Sequence, residues 1–590
     1  MLGEQEGASS VLTRRLAGSP LSARPALGRL AFLGLSALLL GLVARACTLP
    51  GSLPIDTVLL DWAPAAGAPV AYAYHLDGLG LFFVGLAALA ALVLLSLWPD
   101  VKEAPGAREL ALTAAGFFSL LGILIAGDLV ILYICWTALG FACSMTERAV
   151  GADASPAGDA IGHLTGIGLL GAALILGGQS GGVFAVGAVE PAAVAGAVPG
   201  LLLIAALGRL AQAWDGPGAR AAPARELTSS FLVISSAYLL LRGLDLAGYA
   251  WTPRWSAALV AGGAALAIVG ALDAPLAGPR RLARHLGWVD AGLLLMGLGL
   301  GGALALASCL LLAISLVLSR LPLALSSGED TDFGIADHHA EPAEESTLSV
   351  GLTLLTIAGL PPLIGFAARA ALVGAAWERG LWLAVAAGVF ASALAFRAAL
   401  AGTARAAGAP RAPALELDKP ADKPTSGRHS RPRGQRSRRI VFELASSLGA
   451  NWRLGLAAAP LLALCLVPTL PALAIAPALL AVPADWVVAQ TSIGGPGTRW
   501  PVLAVALLGP GLGAVAHAAG WLGGRSRAQA ITRASQCATP ALGCWEPIWR
   551  GLTQASLAAA RWSGQLEGRW HAAVVLGAMA AIAAVLALWR

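Results

Sequence analysis

The chain has 590 residues, of which 57% are hydrophobic and only 12% charged, with a mean hydropathy of +0.75. That composition excludes an ordinary soluble globular protein and places the chain in the polytopic membrane class. Its net charge of +6 does not point to nucleic acid, because many of the basic residues gather in a few loops, as membrane orientation produces. Seven cysteines without a CxxC, most of them inside apolar runs, form neither a disulfide framework nor an iron–sulfur ligand set. No nucleotide, flavin, quinone or metal motif is present, so no cofactor is expected.

Residues 1–28 are polar and Ser/Arg-rich and are read as a cytoplasmic tail. A first span follows over 29–46, and the loop from 50 to 76 then lacks any Lys or Arg. Its segments DTVLLDW and APVAYAYHL carry strand-forming residues around a turn signal at Pro64 to Gly67, which predicts a hairpin on the outer side. Further spans are expected over 77–98, 109–126, 129–145, 160–176, 198–213, 227–245 and 256–272. Arg and Lys fall mostly in alternate loops, with Arg254 the exception, which supports an N-inside orientation. Two spans over 286–300 and 302–318 abut and lead into an acidic segment, where His338 and His339 read as part of a solvated loop rather than as metal ligands.

The stretch from Ser349 to Gly380 is long and apolar enough to cross a bilayer, yet Pro361 and Pro362 interrupt it and Arg369 lies beyond them. Proline removes a backbone donor and frees carbonyls before it, and in hydrocarbon such groups need protein or a wet cavity. Two readings stand side by side: a kink with an arginine snorkelling to the surface, or an ion pathway with a broken helix at its centre. After a span over 381–400 comes a segment rich in Arg, Lys, Pro and Ser, 403–453, which cannot bury a core and predicts a disordered cytoplasmic linker. Residues 454–590 hold the remaining spans, with an amphipathic stretch over 525–569 that suits a membrane surface. The expected fold is all-α, an integral membrane protein with about 14 to 15 spans.

Charges inside or near the apolar runs are Asp128, His163, Arg209, Arg242, Asp290, Arg369 and Arg397. Each costs several kcal/mol if it faces lipid. Arg209 also suits snorkelling, Asp290 suits an ordinary helix N-terminus, and Arg242 and Arg397 sit near span ends where an interfacial place is the simpler reading.

The order of these charges resembles the antiporter-like membrane subunits shared by respiratory complex I, membrane-bound hydrogenases and multisubunit cation/proton antiporters. HLDGLGLFFVGL at 75–86 resembles the family's DGLS segment, and GDLVILYICWTALGFACSM at 127–145 its helix with a Trp-Glu pair, with Trp136 at the Trp position. LGRLAQAWD at 207–215 resembles the segment holding the channel lysine, which puts Arg209 there. LVISSAYLLLRG at 232–243 is similar to the helix ending in Tyr-x-x-x-Arg, matched by Tyr238 and Arg242, and GPRRLARHLGWVDAGLLLMGLG at 278–299 puts Asp290 at a His/Gln position. The stretch with Pro361 and Pro362 matches A-G-x-P-P-x-x-G-F-x-x-K, with Arg369 at the lysine, and SALAFRAALAG matches the helix after it. The resemblance covers about residues 50 to 405, within a transmembrane core over 29–402.

That resemblance implies two inverted five-helix repeats, each with a broken helix. It implies an ion pathway along Arg209, Asp290, Arg369 and Arg242, with Thr137 and His163 beside it, carrying protons or sodium. It also implies other membrane subunits as partners, a lipid bilayer of the bacterial inner membrane, and no redox chemistry in this chain. The departures fall on working positions: Thr137 stands where the family has Glu, Ile234 where some members have a second lysine, and Ser308 and Leu312 within the family's H-A-F-F-K pattern. Arginine at 209 and 369 is never deprotonated, so it biases a water wire but cannot relay a proton. Three functions follow: an ion-translocating subunit of a complex-I-like NADH:quinone oxidoreductase or related complex, a degenerate non-pumping structural subunit, or a stand-alone anion or solute transporter.

Overall fold

The computed structural model describes residues 24–48, 54–61, 71–97, 107–149, 156–180, 184–191, 194, 196–214, 223–248, 251–274, 279–318, 354–360, 363–406 and 499–518. Chain order runs α1 (Arg24–Thr48), β1 (Ile55–Asp61), β2 (Ala71–Leu76), α2 (Gly78–Leu97), α3 (Ala107–Leu124), α4 (Leu129–Ala149) and α5 (Pro156–Gln179). Next come α6 (Val198–Trp214), α7 (Pro223–Leu246), α8 (Pro253–Asp273), α9 (Pro279–Leu300), α10 (Ala303–Leu318), α11 (Ile364–Glu378), α12 (Trp382–Ala406) and α13 (Arg499–Ala518). The fold is all-α apart from one hairpin, and six of these helices are long and apolar enough to cross a membrane. The protein is an integral membrane protein. Pro361, Pro362, His338, His339, the linker beyond residue 406 and the amphipathic stretch over 525–569 lie outside the described residues.

α7 is the central helix. Of its span Ala224–Leu246, 94% is buried, and α2, α3, α4, α6, α9 and α10 all pack on it. A helix enclosed on every side has no polar face to show to solvent, so its polar residues must be satisfied internally. Thr228, Ser230, Ser235 and Ser236 accordingly bond their own helix's carbonyls, Ser236 Oγ donating to Leu232 O at 2.8 Å. α8 is peripheral, with only 28% of its span buried, and it packs on α9 through glycine. Gly263 and Gly292 meet backbone to backbone, so that a Cβ on either would run into the other's carbonyl oxygen. Without a hydrophobic drive between helices in lipid, such close small-residue contacts are what hold them.

The expected hairpin is present. β1 and β2 pair antiparallel with Ile55 opposite Leu76 and Asp56 opposite His75. β2 also bonds the turn between α3 and α4, the Gly127 amide donating to Ala73 O at 2.9 Å, and that turn in turn accepts from Val186 at 2.9 Å. Two helices that start at this end are capped by aspartate: Asp77 Oδ1 accepts from the Gly80 amide at 2.7 Å, and Asp128 Oδ1 from the Val130 amide at 2.7 Å.

Candidate functional site

The second half of the bundle contains a helix that stops and restarts. A helical turn over 354–358 ends at Gly359, whose φ of +81° only glycine adopts without strain. The Leu360 amide donates to Leu355 O at 3.0 Å and the Gly359 amide to Thr356 O at 3.1 Å, the paired bonds of a Schellman stop. Those two bonds leave the Ile357 and Ala358 carbonyls free. Arg369, one turn into α11 and 4% exposed, takes both: Nη1 donates to Ala358 O at 2.6 Å and Nη2 to Ile357 O. Nη2 also donates to Asp290 Oδ1 on α9 at 2.8 Å. The guanidinium therefore caps the negative end of the broken helix and neutralises a fully buried carboxylate at once. Asp290 Oδ2 and the Ser315 Oγ of α10 are buried beside each other, with no other hydrogen-bond partner among the described residues. Neither snorkelling of Arg369 nor an ordinary N-terminal role for Asp290 fits this geometry.

The first half is built differently. Arg209 lies inside α6, which runs unbroken past it, and is 1% exposed. Its guanidinium stacks 4.7 Å from the centre of the Trp136 ring, donates from Nη2 to Trp136 O, and donates from Nη1 to Gln212 Oε1 at 3.0 Å. Gly140, one turn beyond Trp136 on α4, makes the room, since a Cβ there would occupy the position of Nη1. No carboxylate pairs with Arg209 among the described residues, and its Nε is buried without a hydrogen bond.

A third centre joins the hairpin to α7. Arg242 grips Asp77 with both terminal nitrogens, Nη1 to Oδ2 at 2.6 Å and Nη2 to Oδ1 at 3.0 Å, and Nη1 reaches Asp245 Oδ2 at 2.7 Å. Tyr238 OH accepts from Nε and Nη2 of Arg242 and donates to Leu124 O at 3.3 Å. The position of Arg242 near the end of its span suggested an interfacial residue; it is 1% exposed instead, because α2 and the start of the bundle fold over it. Burial would raise the Asp77 carboxyl, but His75, Arg242 and the Gly80 amide outweigh it and hold Asp77 far below the usual carboxylate range. Asp56, His75, Asp77 and Asp245 were absent from the sequence-derived pathway. The signal for Asp77 was the lone carboxylate opening the apolar run HLDGLGLFF, and for Asp245 its place three residues beyond Arg242.

Of the expected pathway residues, the structure brings Arg369 and Asp290 together and keeps Arg209 and Arg242 in separate centres. Thr137 is exposed, and its hydroxyl donates to Ile134 O at 2.8 Å, so it is Trp136, Gly140 and Cys143 on α4 that share the helix face toward Arg209. His163 is exposed on α5. Ile234 and Leu312 are fully buried core residues, and Ser308 Oγ donates to Ala368 O at 2.8 Å, next to Arg369. Arg397 is half-buried on α12.

No protein-family model matches the chain, and no curated protein matches it in sequence. Solved structures do. A chain of the Mrp complex from Dietzia sp. DQ12-45-1b superposes with a TM-score of 0.62 at 22% identity, over 96% of this chain and 61% of that one. A chain of respiratory complex I from Thermus thermophilus with bound NADH superposes with a TM-score of 0.53 at 21% identity, over 78% of this chain and 95% of that one. The membrane-bound sulfane sulfur reductase, an archaeal respiratory membrane complex, gives a looser likeness, with a TM-score of 0.49 at 16% identity over 65% of this chain and 68% of that one. The fold is thus shared with those chains of the Mrp complex and of respiratory complex I, and this chain spans 61% of the Mrp chain's length.

Proposed function

We propose that the chain is an ion-translocating membrane subunit, moving protons or sodium, within a multisubunit complex of the complex-I-like NADH:quinone oxidoreductase or cation/proton antiporter kind. The observation that carries this reading is the buried Asp290 beside a helix whose freed carbonyls Arg369 caps. Interrupted helices and buried ionisable residues are costly in a membrane and accompany ion sites there. The likeness in fold to subunits of such complexes supports the same reading. Asp290 is the exchangeable group in this centre: a carboxylate releases and takes protons, whereas Arg369 stays charged and sets the field around it. Asp290 Oδ2, with the Ser315 hydroxyl beside it, is the carboxylate oxygen that Arg369 leaves open to a proton-carrying water or a cation at the break. The two inverted repeats, the cytoplasmic N-terminus, the bacterial inner membrane and the partner subunits belong to the same proposal. Redox chemistry is the work of other chains.

One observation favours a second reading, a non-pumping structural subunit: Arg209 has no carboxylate partner among the described residues, so the first half lacks an exchangeable pair. Proteoliposomes holding the chain in its native complex separate the two. Asp290→Asn is expected to abolish proton or sodium flux while the complex stays intact. Flux equal to wild type in Asp290→Asn overturns the pathway through Asp290, and a wild-type complex that moves no ion establishes the structural role.

A further inference from the structure

One titratable cluster lies outside the pathway just described, at the hairpin end of the bundle. Asp56 on β1 and His75 on β2 face each other across the sheet, His75 Nδ1 and Asp56 Oδ1 lying 2.6 Å apart. The other ring nitrogen, Nε2, lies 3.7 Å from Asp77 Oδ2. Asp77 is the same carboxylate that Arg242 grips from α7, and Arg242 also holds Asp245. A line of alternating charge therefore runs from an exposed strand residue to the central helix. Around His75 the backbone is tied as well, its amide donating to Ile125 O at 2.9 Å.

The geometry points to a proton-binding latch: His75, as an imidazolium between Asp56 and Asp77, fastens the β1–β2 hairpin to the buried Asp77–Arg242 pair, and loss of that proton loosens it. Both ring nitrogens face a carboxylate oxygen, and only the protonated ring carries an N–H on each. A neutral ring keeps one and turns a lone pair toward the other carboxylate. The cluster holds three carboxylates, Asp56, Asp77 and Asp245, against one guanidinium, so the imidazolium is its second cation. Arg242 is the charged group that opposes protonation, and partial burial of the ring acts with it. Asp77, then Asp56, outweigh both and hold the imidazole above its ordinary range. A histidine whose pKa is raised on folding lends stability that is complete below the unfolded value of about 6.5 and is lost as pH rises through the raised value. The latch is thus closed in acid and released in alkali, whether or not the chain moves ions.

Histidine NMR on the full-length chain in nanodiscs, together with hydrogen exchange of the β2 amides corrected for intrinsic rates, tests this from about pH 5 to about pH 9. His75 is expected to titrate above its ordinary value, and β2 protection to be lost progressively across that titration. Asp56→Asn, on the exposed side where the fold does not depend on it, should lower the midpoint, and His75→Gln should make β2 protection flat with pH. The latch is overturned by a midpoint at or below the ordinary value, by a midpoint that Asp56→Asn leaves unmoved, or by pH-dependent protection that survives in His75→Gln.

Discussion

Two buried arginines, Arg209 on α6 and Arg369 on α11, lie in separate parts of this bundle, and their surroundings differ in kind. Arg369 answers three buried acceptors that the backbone pattern leaves without a partner: two carbonyls of a stopped helix and the carboxylate of Asp290. Arg209 sits beside an unbroken helix, stacked on Trp136 and bonded to one backbone carbonyl and one amide side chain. The first arrangement couples a fixed charge to an exchangeable one; the second holds a fixed charge alone. The proposed ion site rests on that difference: a titratable partner and a backbone opened beside it, which Arg369 has.

The largest expected effect is at the second centre. Arg369→Ala strands a buried carboxylate and uncaps two carbonyls, and should cost about 3 to 5 kcal/mol, read as a collapse of thermal stability and yield. At the first centre Arg209→Met removes a buried charge with no counter-ion among the described residues, so its stability should stay within about 2 kcal/mol of wild type, because well-packed apolar replacements of buried charge are often neutral or better. Equal losses at the two positions would erase the distinction. A finer test is Gly140→Ala, whose Cβ meets the Arg209 guanidinium. It should destabilise wild type and be tolerated in Arg209→Met, a coupling of about 0.5 to 3 kcal/mol in a double-mutant cycle. The smallest effect is at the third centre: Tyr238→Phe removes one acceptor from Arg242, which keeps both aspartates, and should cost about 1 kcal/mol in thermal unfolding.

How much of this was legible in the sequence follows from how local each signal is. The spans and the hairpin are written in composition and strand propensity. The ordered motifs put Arg369 and Asp290 on one pathway without showing that they pair. Thr137 does not account for the lack of a carboxylate beside Arg209, because Thr137 is exposed and Trp136, Gly140 and Cys143 are the α4 residues on that side. The stop in the broken helix was assigned to Pro361 and Pro362, yet the chain leaves helical geometry at Gly359, two residues earlier, because a positive φ there completes the Schellman bonds before either proline is reached. Arg242 was misread because position along a span says nothing about which helix is enclosed. Its partner Asp77 is 165 residues away, and only the packing of α2 on α7 brings them together.

The central claim is that Asp290 exchanges a proton beside a guanidinium that does not. Infrared difference titration of the intact complex reads this directly, since a protonated carboxyl buried away from water gives its own C=O band. The account predicts a pH-dependent carboxyl band that disappears in Asp290→Asn and persists in Arg209→Met. A spectrum in which Asp290→Asn removes no band between about pH 2 and about pH 10, a window that brackets ordinary and raised carboxyl values, would contradict it.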